Sequence, residues 1–298
     1  MISRKFLSDL LGVEIPEELD VESLGHVGFT EHDRPKMLVF CESEKYLDSI
    51  DNESVSAVLT NSELADKVRD LGKVPVVVED PRDAFQVVRD GWARKIYLEE
   101  PSSISSQAEV HPSAVISDYN VQIEEGAVIG PNVTILNDVN IGKGVFVGAG
   151  TVLGTAFDLK VSKQGNISRN FHDGRVVLEE GVEIHSNCTV DKGNSFHGDT
   201  ILARDVKVSH QCYIGHSTQI DAATFVMANV SIAGGAKIGK SVLIDPGARI
   251  CSFVNVGDRV RITTGSVVAF DVEEGERITG NFAVPHEVFM DEYRKRIK

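Results

Sequence analysis

The chain has 298 residues, 30 basic against 45 acidic side chains, and a formal net charge of −15. That length suits a chain of two ordinary domains, and the acidic balance argues against nucleic acid as a partner. The first hundred residues hold twelve basic and twenty-two acidic groups, so most of the excess negative charge lies there.

In chain order, MLVFCES (Met37 to Ser43), SAVLTN (Ser56 to Asn61) and VPVVVED (Val74 to Asp80) read as buried strands. SELADKVRDL (Ser62 to Leu71), opening on a serine cap, and PRDAFQVVRDGW (Pro81 to Trp92), with proline in its first turn, read as helices. Alternating strand and helix predicts a small α/β domain over residues 1–105.

From there the period changes to six. Ile123, Ile129, Ile135, Ile141, Val147 and Leu153, then Leu178, Ile184, Val190, Phe196, Leu202, Val208 and onward in steps of six to Val268, are all apolar. The residue two before each is usually small, as at Ala127, Val133, Cys188, Thr200, Cys212, Ala236 and Ala248. No helix has that period. The pattern predicts a mainly β fold over 106–285, a left-handed parallel β-helix of hexapeptide repeats in which three hexads close one coil and positions eighteen apart stack. The run from 178 reads as about five coils. One slip falls between Ile116 and Ile123, and Thr155 to Arg175 loses the pattern and reads as a loop leaving the rod. Residues 286–298 predict a short C-terminal helix capping the rod, with Val288, Phe289 and Tyr293 facing inward.

Cys41, Cys188, Cys212 and Cys251 form no CxxC pair, which suits structural roles in a reducing compartment. No signal peptide or membrane-spanning run is expected, and the localisation expected is cytoplasmic.

Acid–base chemistry near neutral pH directs attention to histidine. Of the nine (His26, His32, His111, His172, His185, His197, His210, His216 and His286), His210 and His216 each lie two residues after an inward anchor, close to a coil corner. Stacking by eighteen places Asp191 one coil below and beside His210, where a carboxylate orients an imidazole. His216 stacks between Gly198 and Gly234, with Asp199 diagonal to it. Most such histidines are simply solvated. A zinc site built from His185, His210 and His216 fits poorly, because His185 directly follows its anchor, and no metal is expected.

EEGVEIHSNCTVDKG (Glu179 to Gly193) and GDTILARDVKVSHQCYIG (Gly198 to Gly215) resemble part of the bacterial UDP-3-O-acylglucosamine N-acyltransferases of lipid A synthesis. FCESEKYL (Phe40 to Leu47) and VVVEDPRDAFQVV (Val76 to Val88) are similar to that family's uridine-binding domain. The resemblance implies transfer of an acyl group from a thioester, on acyl carrier protein or coenzyme A, to the amine of a UDP-amino sugar, with no permanently bound cofactor. It implies His210 as the general base, to which the stacking adds Asp191 as catalytic partner, and a uracil sandwiched by Phe40 and Tyr46 near Ser43. Gly154, Phe157 and His216 are implied in substrate binding, and the assembly in a homotrimer. The sequence departs from the family at Ala203-Arg204, at Ser43, near Phe253-Val254, and in a shortened C-terminal extension. Its basic end (Arg294, Lys295, Arg296, Lys298) is the expected dock for an acidic carrier protein. A coenzyme A-dependent N-acetyltransferase acting on a deoxyamino-sugar nucleotide for surface polysaccharide, and a rod that binds without turnover, are the alternatives. Exposed apolar residues Phe225, Leu243, Phe253 and Val267 are expected to mark the interface between rods.

Overall fold

The computed structural model describes residues 2–25, 35–157, 159–161, 165, 167–194, 197–280 and 283–296. His26, His32 and Phe196 lie outside them. Two compact units divide the chain. One takes Met1–Glu100, Ala156–Arg175 and Gly193–Asp199, and the other takes Pro101–Thr155, Val176–Lys192 and Thr200–Lys298.

The first unit is built on α1 (Arg4–Leu11), β1 (Ser23–Leu24), β2 (Met37–Cys41), α2 (Leu47–Ile50), β3 (Val55–Thr60), α3 (Ala65–Asp70), β4 (Val74–Val77) and α4 (Pro81–Ile96). Its four strands pair in parallel in the order β1-β2-β3-β4. Alternate residues of each strand point to opposite faces. Leu38, Leu59 and Val76 pack with Leu7, Phe85 and Val88 of α1 and α4, while Met37, Val39 and Val58 pack with Ile50, Leu64 and Val68 on the other side. Asp80 caps α4 by accepting from the Asp83 amide, and Pro81 occupies the first turn as expected. At α3 the expected serine cap is corrected: the Asn61 side chain accepts from the Leu64 amide at 3.1 Å, so Asn61 turns the chain and Ser62 lies inside that turn.

Two excursions from the repeat region belong to this unit. Residues 156–175 carry an antiparallel hairpin, Leu159–Val161 against Ile167–Arg169. Phe171 stands edge-on to Tyr97 with ring centroids 5.5 Å apart, Arg94 covers the Phe171 ring at 4.4 Å, and Gln86 of α4 donates to Asn170 at 2.7 Å.

The second unit is a rod of three parallel sheets, with eight, eight and nine strands among the described residues. From Ile123 to Val268 each short strand buries its anchor and the smaller residue two before it: Ala127, Val133, Cys188, Thr200, Cys212, Ala236 and Ala248 are all at most 3% exposed. The strand order is that of a left-handed parallel β-helix, with pairing by eighteen along most of its length, as in Val208 with Val226 and Ile214 with Ile232.

In the middle of the rod the expected stacking is corrected. Leu178 pairs with Leu202, Ile184 with Val208 and Val190 with Ile214, each twenty-four residues on. Residues 193–199 form the second excursion, and being close to one hexad long it leaves the six-residue phase unbroken on either side.

The C-terminal helix, α5 (His286–Arg296), buries none of its residues. Val288, Phe289 and Tyr293 are 46%, 54% and 47% exposed, which corrects the expectation that they face inward. Among the described residues no helix is long and apolar enough to cross a membrane.

Candidate functional site

Register decides the company each corner histidine keeps. With Ile184 opposite Val208, the corner after Val208 lies over that after Ile184, and the Ser186 amide donates to Nδ1 of His210 at 3.3 Å. A neutral His210 ring accepting that bond carries its proton on Nε2. The ring is exposed and packs against His185, centroids 5.1 Å apart, and His185 in turn lies 5.6 Å from the Phe146 ring. Oε2 of Glu183 is 3.7 Å from Nε2 of His185. Lys207 lies 2.9 Å from Oε1 of Glu183 and its hydrogen bond holds that carboxyl below the usual carboxylate range.

Asp191 does not stand beside His210. The twenty-four-residue step carries it opposite Gly215, and its carboxylate, 1% exposed, accepts from the Tyr213 hydroxyl at 2.6 Å and from Thr155 Oγ1. Burial and the Asp191 charge push the Tyr213 phenol well up, so it stays a donor. Thr155 is the last rod residue before the first excursion, and Asp191 lies two residues before the second. Lys192 reaches inward to Asp138 at 2.6 Å, with both side chains at most 8% exposed. Asp138 also accepts from Asn120 at 2.9 Å and Asn137 at 2.6 Å. These two buried clusters hold the places where both excursions leave the rod. Sequence reasoning missed them, although a lysine two residues after an inward anchor was a visible signal.

His216 occupies a different corner. The same register places it above Lys192, not above Gly198 as eighteen-residue stacking predicts. Gly234 lies on its other side as expected: a Cβ there would come within 2.5 Å of His216 Nε2. The ring is half-buried, and Gly215 and Gly234, both buried, let the neighbouring backbone and the His216 ring pack close together. Across Gly235 lies the Phe253 ring, 43% exposed. Gly154 turns at φ 87°, where a Cβ would come within 2.9 Å of Val139, so it is a requirement of local packing. Phe157, in the first excursion, is 64% exposed.

In the first unit, Phe40 and Tyr46 flank the carboxyl end of β2, the side on which open parallel sheets take ligands. Phe40 is half-buried against Phe85, centroids 5.4 Å apart, with the Arg82 guanidinium 5.8 Å from its ring. Tyr46 closes a 3₁₀ turn (Glu44–Tyr46), is 41% exposed, and has Lys45 Nζ 4.5 Å from its ring centroid. The Ser43 carbonyl accepts from the Tyr46 amide at 3.1 Å and so shapes the turn. Cys188 and Cys212 occupy stacked inward positions, where the Cys188 sulfur and burial push the Cys212 thiol up. Among the described residues no group of three His, Cys, Asp or Glu side chains is arranged to hold a metal ion.

Stacked sheets with six-residue turns define a hexapeptide-repeat β-helix, and the family model of the bacterial transferase hexapeptide, six repeats, matches residues 120–155. More particularly, the chain is similar to proteins named UDP-3-O-acylglucosamine N-acyltransferase. It is 28% identical to that of Pseudomonas putida over 63% of this chain and 60% of the relative. It is also 28% identical to that of Helicobacter hepaticus over 53% of this chain and 54% of the relative. The chain thus spans less than two thirds of the length of these relatives. Among solved structures, the UDP-N-acetylglucosamine O-acyltransferase of Moraxella catarrhalis is 20% identical with a TM-score of 0.41, covering 64% of this chain and 76% of that chain.

Proposed function

We propose that this protein transfers an acyl group from a thioester to the amine of a UDP-activated amino sugar in lipid A synthesis, working in the cytoplasm as a homotrimer. The similarity to named N-acyltransferases carries the reading, and the half-buried His216 supplies a candidate base.

An amine protonated at neutral pH is not a nucleophile, so a neighbouring group must take its proton. The resemblance implies His210 for this task, but the carboxylate expected beside it, Asp191, is engaged with Tyr213 and Thr155. His216 fits the task better, being half-buried and seated against a residue without a side chain. In the proposed step the sugar nitrogen attacks the thioester carbonyl carbon while His216 takes the nitrogen's proton. The C–S bond then breaks as the tetrahedral oxyanion collapses, and the imidazolium returns its proton to the departing sulfur. Asp191 acts at a distance, through Tyr213 and Thr155, by holding the strand ends that frame this corner.

The uracil is assigned to the ledge at the end of β2. Because Tyr46 is exposed and Phe40 is packed on Phe85, the two aromatics respond differently to truncation. Tyr46→Ala is expected to weaken UDP-sugar binding by about 1–2 kcal/mol, as for other base–aromatic stacks, with an unchanged melting temperature. Phe40→Ala is expected to weaken binding and also to cost roughly 1–3 kcal/mol of stability, since it empties part of the core. Calorimetric titration with the sugar nucleotide beside thermal melts measures both. A Tyr46→Ala protein that binds normally removes the ledge from the site.

The activity itself is tested with acyl donors of increasing chain length, each on carrier protein and on coenzyme A. Long-chain carrier-protein donors are expected to be used best. Exclusive use of acetyl-coenzyme A transfers the assignment to the surface-polysaccharide alternative, and no thioester consumption with any donor leaves a binding rod.

A further inference from the structure

We infer that Phe253 is a specificity-determining residue, whose ring reads an apolar substituent on the sugar carbon next to the reacting amine. The inference rests on the assignment of His216 as the base.

Phe253 stands at a coil corner in the left-handed region, at φ 62°. Among the described residues it is the one aromatic side chain there; the other non-glycine corners of the rod in that region hold Asn, Asp, Gln, Ser, Ala or Arg. Stacked below it are Ser217 and Gly235. The left-handed region is unfavourable for side chains with a Cβ and least tolerated by bulky ones. A ring that is 43% exposed gains little burial in return. Strain that the core does not need points to function.

The seat of the ring is specific. A Cβ on Gly235 would come within 2.4 Å of its Cδ1 and Cε1, just as a Cβ on Gly234 would meet His216 Nε2 at 2.5 Å. Two rings, one from the coil before and one from the coil after, thus lie over successive Cα atoms about 3.8 Å apart. Backbone bonds tie these corners together: the Gly235 amide donates to the His216 carbonyl at 2.8 Å, and the Phe253 amide to the Gly234 carbonyl at 3.1 Å.

Nδ1 of His216 is buried, so Nε2, over Gly234, is the atom that takes the amine proton. An amine within hydrogen-bond reach of Nε2 brings its own carbon, and the carbons on either side, towards the ring on Gly235. A phenyl face gives a hydroxyl no good partner and packs well against alkyl carbons, so it favours an acceptor whose amine has an apolar neighbour. In the proposed substrate class that neighbour is a 3-O-acyl chain in place of a free hydroxyl.

The test gives the full chain UDP-glucosamine or its 3-O-acyl derivative as acceptor. The parent is expected to prefer the acylated sugar in kcat/KM. Phe253→Asn, a residue at ease in the left-handed region, is expected to lower that preference by roughly tenfold or more. Its melting temperature is expected to be no lower than the parent's and its size in sedimentation unchanged. Phe253→Leu is expected to keep most of the preference. Calorimetric titration of both nucleotides in a His216→Ala background is expected to show the same change in relative affinity. A parent that binds the acylated sugar better, loses that with Phe253→Asn and yet transfers nothing upholds the inference and counts against the reaction alone. The inference is overturned if Phe253→Asn leaves both ratios unchanged, if it melts lower or dissociates the assembly, or if the parent binds the two nucleotides alike.

Discussion

Replacing His216 with alanine is expected to lower kcat by about 10²–10⁴-fold, the usual loss on removing a general base, with sugar-nucleotide affinity little changed. His210→Ala is expected to retain activity within about tenfold, because that ring is exposed and its Nδ1 accepts from the Ser186 amide. Gly234→Ala sharpens the test. Its added methyl meets only the far end of the His216 ring, with Nε2 at 2.5 Å, so the ring swings aside while the backbone keeps its course. Turnover is expected to fall with a near-normal melting temperature. Steady-state kinetics on the three variants decides between the histidines. A His216→Ala enzyme of normal turnover with a crippled His210→Ala enzyme would return the role to His210.

Lys192→Met is expected to destabilise the protein by roughly 3–5 kcal/mol, measured by denaturant unfolding of the full chain. Lys192 and Asp138 are nearly inaccessible to water, and removing one partner leaves a buried charge without its counter-ion. Asn120 and Asn137 soften the loss by donating to Asp138 but cannot neutralise it. Adding Asp138→Asn is expected to recover a large part of the stability, since a neutral amide needs no counter-ion. A single variant within about 1 kcal/mol of the parent would show that water reaches the pair.

Much of this architecture was legible because burial imposes a period. Anchors such as Ile184, Val208 and Ile232 must be apolar wherever the chain passes inside the rod, and β2, β3 and β4 must be apolar on both faces. A period, however, reports phase and not count. Residues 193–199 add nearly one hexad, so the six-residue rhythm continues across them while the paired register steps by twenty-four, and the predicted contact between Asp191 and His210 failed for that reason alone. Asn194, a polar residue where a small apolar one belongs, was the available warning. Tyr46 was found from its spacing to Phe40, whereas the Tyr213–Asp191–Thr155 cluster brings together residues from three successive coils and had no local signature. The exposure of α5 escaped for another reason: a periodic pattern shows which side chains cluster on a helix, not what lies opposite.

The division of the chain has a bearing on the order in which the protein is made. The first unit draws on Met1–Glu100, Ala156–Arg175 and Gly193–Asp199, so the polypeptide passes between units five times. A ribosome delivers the four-stranded sheet early, but the hairpin and the residues that meet Tyr97, Arg94 and Gln86 emerge only after several rod coils, and the unit is complete only at Asp199. Domains usually finish in sequence during synthesis. This one must wait for its neighbour, and a nascent chain halted near residue 150 would carry an α4 surface still lacking its cover.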